Sequence, residues 1–368
     1  MDSAFFQNQS VPDFLVLIVS AEDKDRGENG RVSYYLKVGD TNVEETEHFR
    51  INTVTGEIRT KSILDREEKS KYQLVLAARD NGSPTVFESL RFLTVILVDV
   101  DDNSPEFPRT QTTNPYVFTL EENLPLNFPI GRVLATDKDV GENALVYYYI
   151  VDGNFGGRFR VEKTTGLIKS NSTFDREEKE VFEIVVKATS NPDYIVYERE
   201  EEQGFSAASR SYREEDLSLA LVRITIADVN DNAPMFLNDP YLAGIRTSTQ
   251  VGDLVAAVSA TDPDVGDNGK FEYRLDAIRL FRPGVPGSVR PVPSPFNISA
   301  DGHITAAHLM AQYDHARFEL HVAAKELASP FRVAKAVVKV WIYEQNQLVR
   351  VIVPQPPEEV NRKKAIIH

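Results

Sequence analysis

The sequence predicts an all-β chain built from three tandem β-sandwich repeats. Three observations carry that expectation: apolar residues alternating with a period of two, a Phe, Gly and Ile set recurring just upstream of each alternation, and acidic signatures returning in a fixed order. The alternation runs through Tyr72, Leu74, Leu76 and Ala78, then Phe182, Ile184, Val186 and Ala188, then Phe318, Leu320, Val322 and Ala324. Because successive strand side chains point to opposite faces, each run predicts a strand with one buried face. A second strand of this kind closes the earlier repeats, as at Ala220, Val222, Ile224 and Ile226. Upstream stand Phe49, Gly56 and Ile58, then Phe159, Gly166 and Ile168, then Phe296, Gly302 and Ile304. This spacing predicts two short strands joined by a tight turn, with Gly supplying the positive φ that other residues resist. Short strands separated by such turns predict sandwiches.

The acidic signatures place the chemistry. Asp23-Lys24-Asp25 with Asn29 returns as Asp137-Lys138-Asp139 with Asn143 and as Asp262-Pro263-Asp264 with Asn268. Asp65-Arg66-Glu67 returns as Asp175-Arg176-Glu177, and Asp99-Val100-Asp101-Asp102-Asn103 returns as Asp228-Val229-Asn230-Asp231-Asn232. Carboxylates this close repel by about 4 kcal/mol per pair at 4 Å and an effective dielectric near 20, so a compensating charge is required. A hard divalent cation supplies it, and calcium takes six to eight oxygen ligands. An EF-hand does not fit, since the sixth-position Gly is absent after Asp23 and no helices flank the loop.

Composition bounds the remaining classes. A single core stops growing at roughly 250–300 residues, so 368 residues require several domains. Apolar residues make up 42% of the chain, enough for real cores, and 41 basic against 56 acidic residues leave a net charge of −15, the wrong sign for a nucleic-acid partner. With no cysteine, neither disulfides nor thiolate metal sites can hold the fold. No apolar run is long enough to span a bilayer, and Phe14-Leu15-Val16-Leu17-Ile18-Val19 aligns with strand residues of the other repeats rather than with a signal core. His303, His308, His315 and His321 form no ligand cluster and are expected at the surface or in loops, and Trp341 is expected in the core or on a strand surface.

In their order, the Asp-x-Asn-Asp-Asn-x-Pro, Leu-Asp-Arg-Glu and Ala-Thr-Asp-x-Asp stretches resemble the extracellular repeats of cadherins, over about residues 10–345. The resemblance implies Greek-key sandwiches at 1–103 (incomplete at its start), at 104–232 with an acidic insertion over 192–216, and at 233–346 with a Pro-rich insertion over 279–295. The insertions are expected as solvated loops. Residues 347–368 are expected to begin a further membrane-adjacent α+β element, cut short, with Pro356-Pro357-Glu358-Glu359 as a helix start. The whole reads as an internal piece of a longer chain.

The resemblance also implies calcium at the boundaries between repeats. At the second boundary the ligand set is Glu122, Asp175 and Glu177 from above, the linker Asp228, Val229, Asn230, Asp231 and Asn232, and Asp262, Asp264 and Asn268 from below, with Asn232 and Asn268 giving backbone carbonyls. This set is nearly complete and implies about three ions. Glu326 occupies its last position, where the pattern has the shorter Asp seen at Asp80. At the first boundary the set is Asp65, Glu67, Asp99, Val100, Asp101, Asp102, Asn103, Asp137, Asp139 and Asn143, but Ser190 replaces an Asp and Asn8 a Glu. Fewer or looser ions are expected there. Asp23, Asp25 and Asp80 form half of a further site.

Below the third repeat Asp314 has no following Glu, Thr247 replaces the upper Glu, and Glu344-Gln345-Asn346 replaces the acidic linker, so no calcium is expected. That end is similar to the membrane-proximal end of the tip-link cadherins of inner-ear hair cells. The implied function is calcium-dependent adhesion by a stiff extracellular rod of a single-pass membrane protein, with no membrane segment within these residues. The implied partners are other cadherin molecules, homophilic or heterophilic, with a parallel homodimer among the assemblies. Asn171, Asn297, Asn8 and Asn81 head sequons that fit export. Paired carboxylates could alternatively serve a glycosidase, but acids duplicated at two boundaries are not what one active site needs.

Overall fold

In the computed structural model, residues 2–7, 12–110, 115–196, 212–284, 290–291 and 294–344 are described. The element expected at 347–368, Gln345 and Asn346, Asn8, and most of the acidic insertion lie outside the described residues. The chain divides into two compact units, one of residues 1–118, 125–172 and 182–224 and the other of residues 119–124, 173–181 and 225–368. Among the described residues the regular structure is strand with a few 3-10 turns and no α-helix.

The first unit opens with two sheets. One has five strands in the order Asp2–Gln7, Glu88–Val98, Lys71–Asp80, Val32–Val38, Thr41–Val43, and the other has three, Leu15–Ile18, Glu57–Thr60 and Phe49–Ile51. The chain passes back and forth between the two sheets, so it repeatedly crosses the core. A second pair follows: a four-stranded sheet of Tyr147–Asp152, Val181–Thr189, Leu219–Ala227 and Tyr116–Glu121, and a three-stranded sheet of Pro129–Arg132, Leu167–Ser170 and Phe159–Val161. The second unit carries a five-stranded sheet of Tyr241–Arg246, Val333–Tyr343, Arg317–Glu326, Phe271–Phe281 and Arg290–Pro291, and a three-stranded sheet of Leu254–Ala257, His303–Ala306 and Phe296–Ile298. His321 therefore lies mid-strand rather than in a loop, because the period-two pattern of Phe318, Leu320 and Val322 runs straight through it. Trp341 stands on a strand surface, 41% exposed.

The predicted alternation is the core, except at the end of the first run, where Ala77 rather than Ala78 is buried. Ala220, Val222, Ile224 and Ile226 are buried, as are Phe318, Leu320, Val322 and Ala324. The recurring Phe packs edge-to-face on the first buried aromatic of the long strand in every repeat. Phe49 meets Tyr72 at 5.3 Å, Phe159 meets Phe182 at 5.5 Å and Phe296 meets Phe318 at 5.1 Å, a geometry the ring quadrupoles favour. The recurring Gly turns also coincide. Gly56, Gly166 and Gly302 have φ of 70°, 67° and 82°, and their carbonyls accept hydrogen bonds from the amides of Val19, Val133 and Val258. A Cβ at these positions would lie 2.1–2.3 Å from the carbonyl oxygen of the same valine.

Two expectations need correction. The stretch expected as a Pro-rich insertion from residue 279 begins as sheet: Phe271–Phe281 continues into it and pairs through Arg279 and Leu280 with Pro291 and Arg290. Ile278 and Leu280 are buried, so period-two burial outlasts the point where prolines dominate the composition. At the end of the acidic insertion Arg213, Glu214 and Glu215 are exposed as expected, but Tyr212 is half-buried. Arg109 donates to the Tyr212 hydroxyl at 2.7 Å and to the carbonyls of Asp216 and Leu219 at 2.8 and 2.9 Å, while Tyr212 packs against buried Val185 and Leu219. An aromatic ring beside a guanidinium offers both apolar area and a cation–π surface.

The Gly turns give a direct test. Gly166→Ala combines left-handed strain with a backbone clash and is expected to cost about 2 kcal/mol or more, whereas Gly141→Ala, with φ of 66° and open space at its Cβ, is expected to cost about 1 kcal/mol. Urea unfolding of both variants measures the difference.

Candidate metal centre

Each Asp-x-Asp loop is anchored by a tyrosine hydroxyl from a neighbouring strand. Tyr34, Tyr148 and Tyr273 accept hydrogen bonds from the amides of Ala21, Ala135 and Ala260 at 2.9, 3.0 and 2.7 Å, two residues before the first Asp. The loops then close identically. Asp23, Asp137 and Asp262 each accept from the amide of the second Asp through Oδ1, at 2.9, 2.9 and 3.1 Å. Short Asp side chains readily mimic a turn in this way.

At the first boundary, within the first unit, Asp99 accepts from Asn143 Nδ2 at 2.9 Å and from the Val140 amide at 3.1 Å, and Asn103 Nδ2 donates to Asp139 at 2.7 Å. Glu67, Asp102 and Asp139 bring carboxylate oxygens within 4.8 Å of one another. Asp65 caps the turn that follows it by accepting from the Glu67 and Glu68 amides at 2.8 and 3.2 Å. Asp101 is exposed on the linker beside Val100, and Ser190 offers only a hydroxyl.

The second boundary, within the second unit, repeats these bonds with two additions. Asp228 accepts from Asn268 Nδ2 at 2.9 Å and from the Val265 amide at 3.2 Å, and Asn232 Nδ2 donates to Asp264 at 2.9 Å. Glu122, only 2% exposed, accepts from the Arg176 and Val229 amides, each at 2.8 Å, which fixes its carboxylate against the linker. Two overlapping groups result, Glu122 with Glu177 and Asp228, and Glu177 with Asp231 and Asp264, each with oxygens within 4.8 Å. Asp175 caps its turn through the Glu178 amide at 3.2 Å. Asp23, Asp25 and Asp80 join no such group among the described residues; Asp80 instead accepts from the Gly82 and Phe87 amides at 3.2 and 2.9 Å.

The residues fit a cation. Asp137 Oδ2 and Asp262 Oδ2 occupy corresponding positions, are buried, and have no hydrogen-bond partner. Such oxygens carry a desolvation cost that a positive charge would offset. Burial, then the charges of Asp139, Asp101 and Asp99, pushes the Asp137 carboxyl above its usual range, and burial with Asp264 and Glu326 does the same to Asp262 despite the opposing Arg332. Glu177 is likewise raised, by burial and by Glu122 and Asp231, and the adjacent Arg176 guanidinium does not overcome them.

Arg66 and Arg176 lie inside the recurring Asp-Arg-Glu motifs, whose sequence alone assigns them no role. The structure does. Arg66 pairs with Asp99 at 2.5 Å and with Glu67, and donates to the Lys138 carbonyl at 3.1 Å; Arg176 pairs with Asp228 at 2.6 Å and with Glu177, and donates to the Pro263 carbonyl at 2.8 Å. Their recurrence between Asp and Glu was the available signal. Arg332, discussed below, had no repeated counterpart to reveal it.

Tandem β-sandwiches with duplicated, cation-fitting carboxylate groups at their ends define a modular class of protein, and comparison with known proteins identifies it. A Cadherin domain model matches residues 3–97 and 116–203. The chain is 42% identical over 354 residues to Cadherin-87A of Drosophila melanogaster, covering 96% of this chain and 18% of that protein. It is 34% identical over 347 residues to Cadherin-23 of Rattus norvegicus, covering 93% of this chain and 10% of that one. The crystal structure of mouse Cadherin-23 EC22-24 superposes with a TM-score of 0.66 at 26% identity, covering 93% of this chain and 96% of that one. The chain belongs to the cadherin superfamily and carries cadherin repeats of the extracellular type. It spans less than a fifth of the length of these relatives. Among the described residues no helix is long and apolar enough to cross a membrane.

Asp262→Asn separates repulsion from coordination. With a chelator present the variant is expected to be more stable than the parent by about 0.5–1 kcal/mol, since a charge set among other carboxylates, with one oxygen lacking a partner, is removed. With a divalent cation present it is expected to gain less stability than the parent. Thermal melts of both proteins in both conditions check the reversal.

Proposed function

We propose that this chain is part of a calcium-dependent adhesion protein, in which calcium ions held at the links between successive repeats stiffen them so that they transmit force outside the cell. The observation that carries this is the duplicated hydrogen-bond pattern around Asp99 and Asp228, together with the partnerless Asp137 and Asp262 oxygens. All the oxygens are carboxylate, carboxamide or backbone carbonyl, the set that suits calcium rather than softer metals.

Glu67, Asp102 and Asp139 would hold an ion at the first link, joined by Asp65, Asp99, Asp101, Asp137 and the carbonyls of Val100, Asn103 and Asn143. Glu122, Asp175, Glu177, Asp228, Asp231, Asp262 and Asp264 would do so at the second, with the carbonyls of Val229 and Asn268, while Asn230 and Asn232 lend oxygens to whatever cation stands beside Glu326. A bound ion replaces repulsion by attraction and ties the loop ends to the linker, so these links lose freedom. Similarity to Cadherin-23 supports the narrower reading of a tip-link-type cadherin bearing tension on the outer face of the plasma membrane. Other cadherin molecules are the partners this reading names.

Binding to the folded form alone stabilises it by about 2.7 kcal/mol per site at a hundred times Kd. Chelation is therefore expected to lower the melting midpoint and broaden backbone exchange at the links, and Asp231→Ala to reproduce the loss at the second link only. Melting curves that coincide in calcium and in chelator would sink the proposal.

A further inference from the structure

We propose that the Arg332 guanidinium permanently fills one of the cation positions at the second link, so that this link takes two calcium ions where its oxygen set alone would imply three. The inference rests on the calcium reading above.

Arg332 Nη1 lies among oxygens of the expected ligand set. It donates to Asn230 Oδ1 at 2.6 Å, to the Asn230 carbonyl at 2.8 Å and to the Asn232 carbonyl at 3.3 Å, and stands 3.7 Å from Glu326 Oε1. A metal ion needs those same oxygens, and a guanidinium already seated on them repels it. The position is built rather than incidental. Glu326, whose side chain is fully buried, accepts from the Arg332 amide through Oε2 at 2.8 Å, while the Glu326 amide donates to the Arg332 carbonyl at 3.0 Å. The reciprocal pair pins the turn that projects the guanidinium toward the linker. The longer side chain of Glu326, where the pattern has Asp, keeps its carboxylate on this turn and facing the arginine. Glu122, Glu177 and Asp228 form one carboxylate group and Glu177, Asp231 and Asp264 another, and neither includes Glu326.

The consequence is a link that is partly closed without metal. A guanidinium cannot be chelated or diluted away, and it stays charged at any physiological pH. The Arg332 tie between the third repeat and the linker thus persists at calcium concentrations that empty the other two positions.

The test counts ions. Native mass spectrometry and calcium titration calorimetry on the full chain compare the parent, Arg332→Ala and Arg332→Gln. Each variant is expected to bind one more calcium ion per chain than the parent. Equal counts with calcium bound throughout would overturn this inference and leave the calcium reading standing; no binding by any form would overturn both. Diffraction from calcium-grown crystals of the parent needs no variant. Two ions with Arg332 contacting Asn230 supports the proposal, and a third ion between Asn230, Asn232 and Glu326 with Arg332 displaced overturns it.

Discussion

Everything at the links follows from carboxylates held too near one another with too few donors. Backbone amides and asparagine side chains satisfy part of the demand, and Arg66 and Arg176 neutralise part of the charge. Asp137 and Asp262 still present buried oxygens with nothing to accept from. A fold that keeps such groups sacrifices stability locally and must recover it from the cores on either side and from what binds. The cores are suited to this, since the edge-to-face aromatic pairs and glycine turns that fix each sandwich also fix the valine and tyrosine positions from which the acidic loops depart.

Much of this was legible in the sequence because it is repeated. Period-two burial at Phe182, Ile184, Val186 and Ala188 needs only local alternation, and Phe159 with Gly166 needs only constant spacing. What was not legible depends on a single long-range contact. Nothing in the order Ser329-Pro330-Phe331-Arg332 announces a guanidinium directed at residues a hundred positions earlier. The Pro-rich segment misled for the converse reason: composition outweighed the burial of Ile278 and Leu280, which keeps the strand going. Tyr212 was hidden by acidic neighbours whose charge suggested solvent.

The two links also differ in how they reach neutrality. At the first, Ser190 brings no charge of either sign. At the second, Glu326 retains a negative charge and Arg332 answers it. The two links thus differ in charge, a neutral hydroxyl standing at the first where an ion pair stands at the second.

The first and last strands of the third repeat, Tyr241–Arg246 and Val333–Tyr343, pair in parallel, with Tyr241 beside Val338 and Arg246 beside Tyr343. Chain entering and chain leaving this domain therefore depart from opposite ends of one ladder. Pulling them apart slides the strands lengthwise and strains the rungs simultaneously, whereas an antiparallel hairpin would unzip rung by rung under a far smaller load.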